Sequence, residues 1–435
     1  MCRPRQDPTN LKKQVENRGS GVGNKSLLSV ESALEKIIKD ISVVSTEETS
    51  LTSAINRVTA VEVRARRCQP PVAVSAMDGY AVKSIDVKTS PSKLVCIGSV
   101  PAGSNFRGQL KSGEAVRIFT GAPVPKGADT IVIQENVVAT SETYGSEITV
   151  LKGAKRGIYI RKAGLDFQTG DVGIPKNKRL TSRDIGLAAA MNVPWILVRR
   201  RPRIAIIATG DEIVRPGEQT SKHQIVSSNS YTLHAFLTAL GADVQILGVA
   251  PDDTNAIGLL AKEAEGSDLL VTTGGASVGK HDLIQEALST QKFGKNALKL
   301  NFWKIAMRPG KPLIFGKLQK KPFIGLPGNP VSTMICGLIF LKPAIETMLG
   351  LEIKQEVEFA TLAYNLPEND ERQDYLRSFA FKTKSGDQFV EPFAKQDSSM
   401  MAKLAQANCL IVREPFDKKK KKGDLVKIIK LDTCL

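Results

Sequence analysis

Hydrophobic positions follow different spacings in different regions of the chain. Apolar residues at helical spacing predict a helix over residues 28–40 and another from Thr181 to Met191. Residues 65–160 instead hold short alternating or β-branched runs separated by glycine, proline and lysine, the pattern of a small β domain. Short alternating runs return after about residue 350 and predict a small β-barrel or sandwich.

From Arg203 the apolar runs become nearly continuous. The runs IAIIA, VQILGVA, DLLVT and FIGL are typical of strands that are buried on both faces of a parallel sheet. The remaining stretches predict helices over residues 229–240, 254–265 and 282–290. Ser227 or Ser228 is the expected cap of the first of these helices. Strands that alternate with helices predict a doubly wound α/β domain.

Polar or glycine-rich segments follow each of the four strands of this domain. In an open α/β sheet the ligand lies beyond the carboxyl ends of the parallel strands, so these segments are expected to meet at one edge. They are Thr209-Gly210-Asp211-Glu212, Pro251-Asp252-Asp253, Gly274 to Asp282, and Pro327 to Ser332. Pro330 is expected at the first helical position with Asn329 as cap, which turns unpaired N–H groups toward the site.

The third of these segments nearly matches a nucleotide-binding P-loop. Gly274 and Gly275 allow the backbone to approach an anion, and Gly279 and Lys280 follow at the P-loop spacing. The next residue is His281, where the motif requires a Ser or Thr hydroxyl for Mg²⁺. The turn therefore predicts either a defective nucleotide site or the same backbone chemistry applied to a different phosphate.

Charged side chains accompany these segments. Carboxylates beside an anion site are costly unless a cation intervenes, so they suggest Mg²⁺ held by carboxylates, water and substrate phosphates. The carboxylates are Asp211, Glu212, Asp252 and Asp282. The alternative is that each of them only caps a helix. Alternation also puts Lys304, Ala306 and Arg308 on one side of a predicted strand, as either a basic edge or an anion-capture site.

Two polar loops stand out in the first half of the chain. Asp78 lies in the turn Ser75-Ala76-Met77-Asp78-Gly79-Tyr80, and Thr120 begins a second loop that is rich in glycine and proline. Each loop, taken alone, fits a simple structural turn as well as a functional one.

Net charge and composition narrow the possible partners. A formal net charge of +17 suggests nucleic-acid binding, but the densest basic run, Lys418 to Lys422, precedes a strand and fits a solvated hairpin loop. Aromatic residues make up only 5% of the chain and do not interleave with the basic runs, so no nucleic-acid partner is expected.

The chain shows no long apolar span and no signal peptide, which predicts a cytoplasmic protein without a membrane anchor. Residues 1–26 are expected to form a flexible basic tail. Scattered cysteines support neither disulfides nor a zinc site.

Taken together, the motifs resemble the molybdopterin molybdenumtransferase (MoeA) family, which includes the gephyrin E domain. The runs SAMDGYAV, TGAPVPKGAD and LPGNPVS occur in one chain and in the family's order, and the resemblance spans about residues 28–435. It implies a discontinuous linker domain, a small β domain, an α/β molybdopterin-binding domain and a C-terminal β-barrel. Their expected bounds are residues 27–64 with 163–199, 65–162, 200–350 and 351–435.

The resemblance also implies an activity and its participants. The family transfers molybdate into adenylylated molybdopterin in a Mg²⁺-dependent step that releases AMP and yields the molybdenum cofactor. It implies a homodimer, with a molybdopterin adenylyltransferase and acceptor molybdoenzymes as partners. Asp78, Thr120 and Asp166 match family residues that come from the partner protomer, so the site would need the dimer.

By position, the family's functional residues fall on residues of this chain in three roles. The expected catalytic residues are Asp78, Thr120, Asp166, Glu212, Asp252 and Asp282. The expected Mg²⁺ ligands are Glu212, Asp252 and Asp282. Binding of molybdopterin and molybdate is expected at Gly274, Gly275, Ser277, Gly279, Lys304, Arg308, Pro327, Gly328, Asn329, Pro330 and Ser332.

The chain departs from the family pattern at a few positions. Leu165 stands where Glu is frequent, Ser227 where Asp is usual, and Arg308 where Lys is common. Gln373 replaces a small residue. The acids at the expected catalytic positions are all present, so an active enzyme is predicted. The alternatives are a non-catalytic molybdopterin-binding scaffold, a nucleotide phosphohydrolase built on the same α/β domain, and a nucleic-acid-binding protein.

Overall fold

The chain folds into two compact units. The computed structural model describes residues 27–141, 143–274, 283–289, 293–294, 297–354 and 357–431. One unit contains residues 27–42, Arg201–Met348 and residues 353–431, and the other contains Val43–Arg200 with Leu349–Glu352. The division into four domains stays a prediction.

Helices lie close to the five positions that the apolar spacing predicted, and another begins at Pro330 as expected. The helices in residues 342–348 and 401–406 were not predicted. The helices are α1 Val30–Lys39, α2 Ser182–Ala190, α3 Asn229–Ala239, α4 Thr254–Glu263, α5 Leu283–Ala287, α6 Pro330–Cys336, α7 Lys342–Met348 and α8 Met401–Gln406. Ser29 caps α1 and Thr181 caps α2 through their side chains, as short polar residues at this position do. Ser228 occupies the cap position of α3, as one of the two expected serines, but its side chain accepts no capping bond.

A π-helical turn, Gly337–Leu341, joins α6 to α7 and makes one helical run, Pro330–Met348. This run is long and apolar enough to cross a membrane, but 78% of its most apolar window is buried inside the protein. Its apolar character is therefore explained by packing in the core.

The unit that contains Val43–Arg200 consists mainly of short strands, with α2 as its α-helix among the described residues. Its strands are β1 Thr46–Ser50, β2 Val63–Arg64, β3 Val74–Ser75, β4 Gly79–Val82, β5 Ser92–Val100, β6 Glu114–Ile118, β7 Thr130–Ile133, β8 Val137–Ala139, β9 Ser146–Val150, β10 Ile160–Arg161, β11 Val172–Ile174 and β12 Trp195–Arg199. Six of them form a sheet in the order β7-β4-β6-β5-β9-β8. Tyr80, Val132 and Ile148 are buried together on this sheet and form part of its core.

The predicted doubly wound α/β domain is confirmed in the other unit. Its strands are β13 Arg203–Thr209, β14 Ile213–Val214, β15 Ile225–Val226, β16 Asp243–Ala250, β17 Leu269–Thr273, β18 Lys299–Trp303, β19 Met307–Arg308, β20 Ile314–Leu318 and β21 Lys321–Leu326. The main sheet has the order β16-β13-β17-β21-β20-β18, and the first four strands are parallel. Every residue of β17 is buried, as the continuous apolar run predicts.

A closed β-barrel follows. The sequence predicted either a small barrel or a sandwich, and the structure has the barrel. Its strands are β22 Val357–Leu362, β23 Gln373–Lys382, β24 Gln388–Pro392, β25 Cys409–Arg413 and β26 Leu425–Lys430. They pair in the ring β23-β24-β22-β26-β25, which closes because β25 also pairs with β23. Lys418 to Lys422 lie between the antiparallel β25 and β26, as expected of a hairpin loop.

The segment from Trp303 to Pro312 is not the single strand that alternation predicted. Strand β18 ends at Trp303, and Lys304 adopts the left-handed backbone conformation with φ 79°. Strand β19 then begins at Met307 and pairs with β23 of the barrel rather than with the main sheet. Because a left-handed residue interrupts the period of two, Lys304 and Arg308 do not share one strand face.

Candidate functional site

The carboxyl ends of β16, β13, β17 and β21 lie at one edge of the sheet, as predicted. The strand order reverses direction between β13 and β17, which is the position where α/β sheets bind ligands. The loops after β17 and β21 are in contact there. A Cβ placed on Gly328 would lie 3.6 Å from the Cα of Gly274. We call this edge, with its four loops, the strand-end site.

Gly274 is required by the way the loop leaves β17. Its φ is +90°, and a Cβ there would lie 2.3 Å from the carbonyl oxygen of Thr209 at the end of β13. No side chain fits this position without moving the backbone of the neighbouring strand. Four further residues predicted at this turn lie outside the described part of the chain: Gly275, Ser277, Gly279 and Asp282.

Asn229 joins two of the loops, a role that no sequence motif predicted. Its Nδ2 donates to Thr273 Oγ1 at 2.8 Å and to the carbonyl oxygen of Gly328 at 2.7 Å. Thr333 Oγ1 donates to the carbonyl oxygen of Pro327 at 2.6 Å, from within α6. The loop after β21 is therefore held by side chains from two helices. Asparagine is common in the first turn of a helix, so its presence there is not informative. Its bridging role becomes visible only when the sheet places β17 next to β21.

Three carboxylates crowd the loops after β13 and β16. The N–H of Asp252 donates to Asp211 Oδ1 at 2.9 Å, and the Glu212 carboxylate folds over Gly210, 2.6 Å from where a Cβ would stand. Burial raises the pKa of Asp252, and the negative charges of Asp211 and Glu212 raise it further. This like-charge crowding is the electrostatic environment in which a cation is stabilised.

The helix-capping role that was the alternative for these acids belongs to the next residue along the chain. Asp253 is the cap of α4, and its Oδ1 accepts from the N–H groups of Asn255 at 2.9 Å and Ala256 at 2.8 Å. Asp252 is left outside the cap, with its side chain exposed in the loop. Within the described residues no group of three His, Cys, Asp or Glu side chains is already arranged to hold a metal ion.

The guanidinium of Arg308 is engaged by the barrel. It donates to Asp370 at 3.0 Å and to Asn369 at 3.2 Å, and it forms an ion pair with Asp374, which is buried in β23. Burial is the main reason that the pKa of Asp374 is raised, and the hydrogen bond from Arg308 opposes it. Arginine suits this position, because its planar guanidinium carries several N–H donors and can bind both Asp370 and Asp374.

The loop after β21 is partly occupied by the barrel as well. Asn329 lies at the predicted cap position and Pro330 at the first helical position, but the Asn329 side chain makes no capping bond. Its Nδ2 donates instead to Ser398 Oγ at 2.8 Å, and the N–H of Val331 donates to the carbonyl oxygen of Ser398 at 3.1 Å. Gly328 and Asn329 are exposed, whereas Pro327 and Ser332 are buried.

Asp78 and Thr120 are brought together in the other unit. The backbone N–H and the hydroxyl of Thr120 both donate to Asp78 Oδ1, at 2.7 Å and 2.8 Å. These two bonds lower the pKa of Asp78, the backbone bond first, so its charged form is favoured. Asp166 is exposed in a separate loop, where its N–H donates to the carbonyl oxygen of Gln69 at 2.9 Å.

Three regions of the chain match known domain families in order. Residues 28–192 match the MoeA N-terminal region (domain I and II), and residues 205–347 match a probable molybdopterin binding domain. Residues 360–431 match the MoeA C-terminal region (domain IV). The central match contains the strand-end site, and the last contains the barrel.

Whole-chain relatives agree with these regions. The chain is 33% identical over 393 residues to a molybdopterin molybdenumtransferase from Haemophilus influenzae, covering 89% of this chain and 95% of the relative. A relative of the same name from Nostoc is 32% identical over 377 residues, 84% of each chain. The crystal structure of a molybdopterin biosynthesis MoeA protein from Pyrococcus horikoshii is 28% identical, with a TM-score of 0.81, and covers 94% of this chain and 100% of that chain. The chain therefore belongs to the molybdopterin molybdenumtransferase (MoeA) family, transferases of molybdenum cofactor biosynthesis.

Proposed function

We propose that this protein inserts molybdenum into molybdopterin, with adenylylated molybdopterin and molybdate as its substrates. The observation that carries the proposal is the strand-end site, where the loops at Gly274 and Gly328 meet and carboxylates crowd the loops that follow the two neighbouring strands, β13 and β16. Amides that face a ligand suit its phosphate groups, and the carboxylates suit a cation between them. Both features serve a substrate that carries phosphates and reacts with an oxyanion.

The carboxylates fit Mg²⁺, because their repulsion already raises the pKa of Asp252 beyond the effect of burial, and a cation would relieve it. Asp211, Glu212 and Asp252 would supply oxygen ligands, with Asp282 as the further ligand expected from the sequence. When bound, Mg²⁺ would neutralise phosphate charge.

The chain's own groups then have distinct tasks in the proposed reaction. The amides around Gly274 and Gly328 orient the phosphates, and Lys304 attracts the molybdate dianion. An oxygen of molybdate attacks the adenylyl phosphorus, and the P–O bond to the molybdopterin phosphate breaks with its electron pair on that phosphate. The two dithiolene sulfurs, as thiolates, then bind molybdenum while its bond to the attacking oxygen breaks. The electron pair of that bond stays on the oxygen, AMP leaves with it, and molybdenum keeps its oxidation state.

The remaining parts of the proposal concern assembly and surroundings. We propose a cytoplasmic homodimer in which Asp78, Thr120 and Asp166 of one protomer complete the site of the other. A molybdopterin adenylyltransferase would supply the substrate, and acceptor molybdoenzymes would take the product. The relatives' name, molybdopterin molybdenumtransferase, supports partners in the molybdopterin pathway. The dimer and the cytoplasmic location rest on the sequence expectations alone.

A reconstitution assay tests the activity directly. Purified protein is mixed with adenylylated molybdopterin, molybdate and Mg²⁺, and both released AMP and the cofactor that activates an apo-molybdoenzyme are measured. Asp252→Asn should lower the rate by roughly 100-fold or more, because it removes charge from the site. Asp253→Asn is the matched control and should stay within about two-fold, because Asn caps a helix as well as Asp does.

Two other outcomes would favour the alternatives. Hydrolysis of ATP without molybdate would support the nucleotide phosphohydrolase that the spacing of Gly274, Gly279 and Lys280 suggests. Tight binding of molybdopterin with no AMP release would support a scaffold. Either result, together with an inactive wild type, would overturn the proposed transfer.

A further inference from the structure

Arg117 is a buried cation in β6, close to the turn that carries Asp78. Its side chain is only 5% exposed. Its guanidinium carbon lies 5.3 Å from the centroid of the Tyr80 ring and 4.7 Å from that of the Phe119 ring. At such distances a cation is attracted to an aromatic face. The two rings therefore restrict where the guanidinium can lie.

The guanidinium is bonded to the chain on the far side of Asp78 and to a residue that holds Asp78 itself. Its Nη1 donates to the carbonyl oxygen of Gly79 at 3.0 Å, and its Nη2 donates to Gln134 Oε1 at 2.7 Å. The N–H of Gln134 in turn donates to the carbonyl oxygen of Asp78 at 3.1 Å. Because hydrogen bonds from a charged donor are strong, Arg117 fixes the main chain of the Asp78 turn from two directions.

The same side chain reaches the segment of Thr120, which binds the Asp78 carboxylate. Phe119, whose ring contacts the guanidinium, directly precedes Thr120. The two hydrogen bonds from Thr120, the backbone bond first, lower the pKa of Asp78, and the positive charge of Arg117 adds to their effect. Arg117 therefore contacts both segments whose side chains meet, and its charge favours the ionised carboxylate.

We propose that Arg117 is a positioning residue for Asp78. It holds the turn so that the Asp78 carboxylate, bound by Thr120, keeps the direction that the reaction requires. Gln134 is the second part of this support, because it joins the guanidinium to the carbonyl of Asp78. Arg117 acts through Asp78 rather than on the substrate. The inference rests on the proposed function for its effect on catalysis, whereas the support of the turn can be measured without any substrate.

Amide hydrogen exchange of the full chain, at single-residue resolution, tests the support of the turn. In Arg117→Lys, which keeps the charge but loses the planar fork, the N–H of Gln134 should exchange at least about ten-fold faster than in wild type. The N–H of Gly157 is the internal control, since it donates to the carbonyl oxygen of Asp129 at 2.8 Å in the same unit. Unchanged exchange at Gln134, or an equal acceleration at Gly157, would overturn the proposal.

The reconstitution assay tests the effect on catalysis. Arg117→Lys should lower kcat by roughly ten-fold or more and leave KM within about two-fold, because a displaced catalytic group weakens the transition state more than substrate binding. Arg64→Lys is the matched control. Arg64 also lies in a strand of this unit, but its described bonds go to Gly170 and Glu62. A raised KM with unchanged kcat in Arg117→Lys would contradict a positioning role.

Gln134→Ala tests the same support and leaves the buried charge in place, so it covers the case in which Arg117→Lys does not fold. Gln134 is exposed, and the variant removes the acceptor of one bond from Arg117. It should lower kcat by about five-fold, the usual effect of one lost hydrogen bond. Gln134→Glu keeps the acceptor oxygen and should restore kcat to within about two-fold. A wild-type kcat in Gln134→Ala would count against the proposed support.

A double-mutant cycle shows whether Arg117 acts through Asp78. In the Asp78→Asn background, Arg117→Lys should cause little further loss of kcat, because the carboxylate that it positions is already gone. Losses that simply multiply would assign Arg117 a separate role and overturn the proposal. If the wild type has no transferase activity, the proposed function fails, while the exchange rate at Gln134 still decides whether Arg117 supports the turn.

Discussion

Two adjacent acids, Asp252 and Asp253, have opposite effects on the stability of the fold. Asp253 satisfies the first amides of α4, whereas Asp252 lies beside the like charges of Asp211 and Glu212. A side chain that lowers the stability of the fold, at the proposed ligand site, is characteristic of a residue kept for function rather than for stability. The difference is not visible in the sequence, where either acid could be the cap.

The raised pKa of Asp252 leads to a pH-dependent prediction for stability. Because the folded-state pKa lies above its ordinary value of 3.8, the ionised form destabilises the fold at neutral pH, and this cost disappears as the pH falls toward that value. Asp252→Asn should therefore raise the Tm at pH 7 by about 1 °C, since the site is exposed and solvent screens it. The gain should shrink toward pH 4 in calorimetric scans.

Asp253→Asn again serves as the control. Its effect on the Tm should be small, and it should be the same at pH 7 and at pH 4. A Tm gain for Asp252→Asn that is the same at pH 7 and pH 4 would contradict the electrostatic explanation. So would a loss of stability at neutral pH.

At the scale of elements, the strand-end site depends on how closely neighbouring strand ends approach. The apolar runs predicted four parallel strands buried on both faces, and all four strands are present and parallel. Burial is wrong for β16, because it lies at the edge of the sheet and only Gly248 and Ala250 in it are buried. The contact between Gly274 and Thr209 depends on β17 lying next to β13, although three strands and two helices separate them along the chain. Periodicity identifies strands but does not specify their neighbours.

Gly274→Ala tests this close approach. The added Cβ would meet the carbonyl oxygen of Thr209 and the residue would keep a positive φ, so the free energy of unfolding should fall by roughly 3 kcal/mol or more. Gly266 is the matched control, with φ +84° and no atom within 4 Å of its added Cβ. Gly266→Ala should cost about 1 kcal/mol, from backbone strain alone. Urea unfolding measures both, and equal losses would show that packing against β13 contributes nothing.

At the scale of the whole molecule, the net charge of +17 does not indicate what the protein binds. The densest basic run is held in an ordered hairpin, where the N–H of Lys420 donates to the carbonyl oxygen of Leu366 at 3.0 Å and that of Lys422 to Asn365 Oδ1 at 2.7 Å. The lysines of this run are exposed on the barrel, as expected of a solvated hairpin loop, except Lys420, which is half-buried and pairs with Asp417. The informative charges are instead the few that are buried or crowded, such as Arg117, Asp374 and Asp252.

The proposed dimer makes a prediction about shared sites. Heterodimers that carry Asp78→Asn on one chain and Asp252→Asn on the other, isolated with two affinity tags, should have about half of wild-type activity, because one of the two symmetric sites is intact. Heterodimers of wild type with the double variant should be inactive. If each site lay within one protomer, the two results would be reversed. The reconstitution assay measures both preparations.

The sequence alone determined which segments form strands and helices and which residues follow the strands, because hydrophobic periodicity and turn chemistry are local. It also carried enough specific motifs to indicate the family. Only the tertiary structure decided which of those residues meet. Arg308 pairs with Asp374, Asn229 bonds to Gly328, and Ser398 bonds to Val331, each across more than sixty residues of chain. Such partners depend on how whole elements pack, and packing is a property of the folded chain that no local pattern encodes.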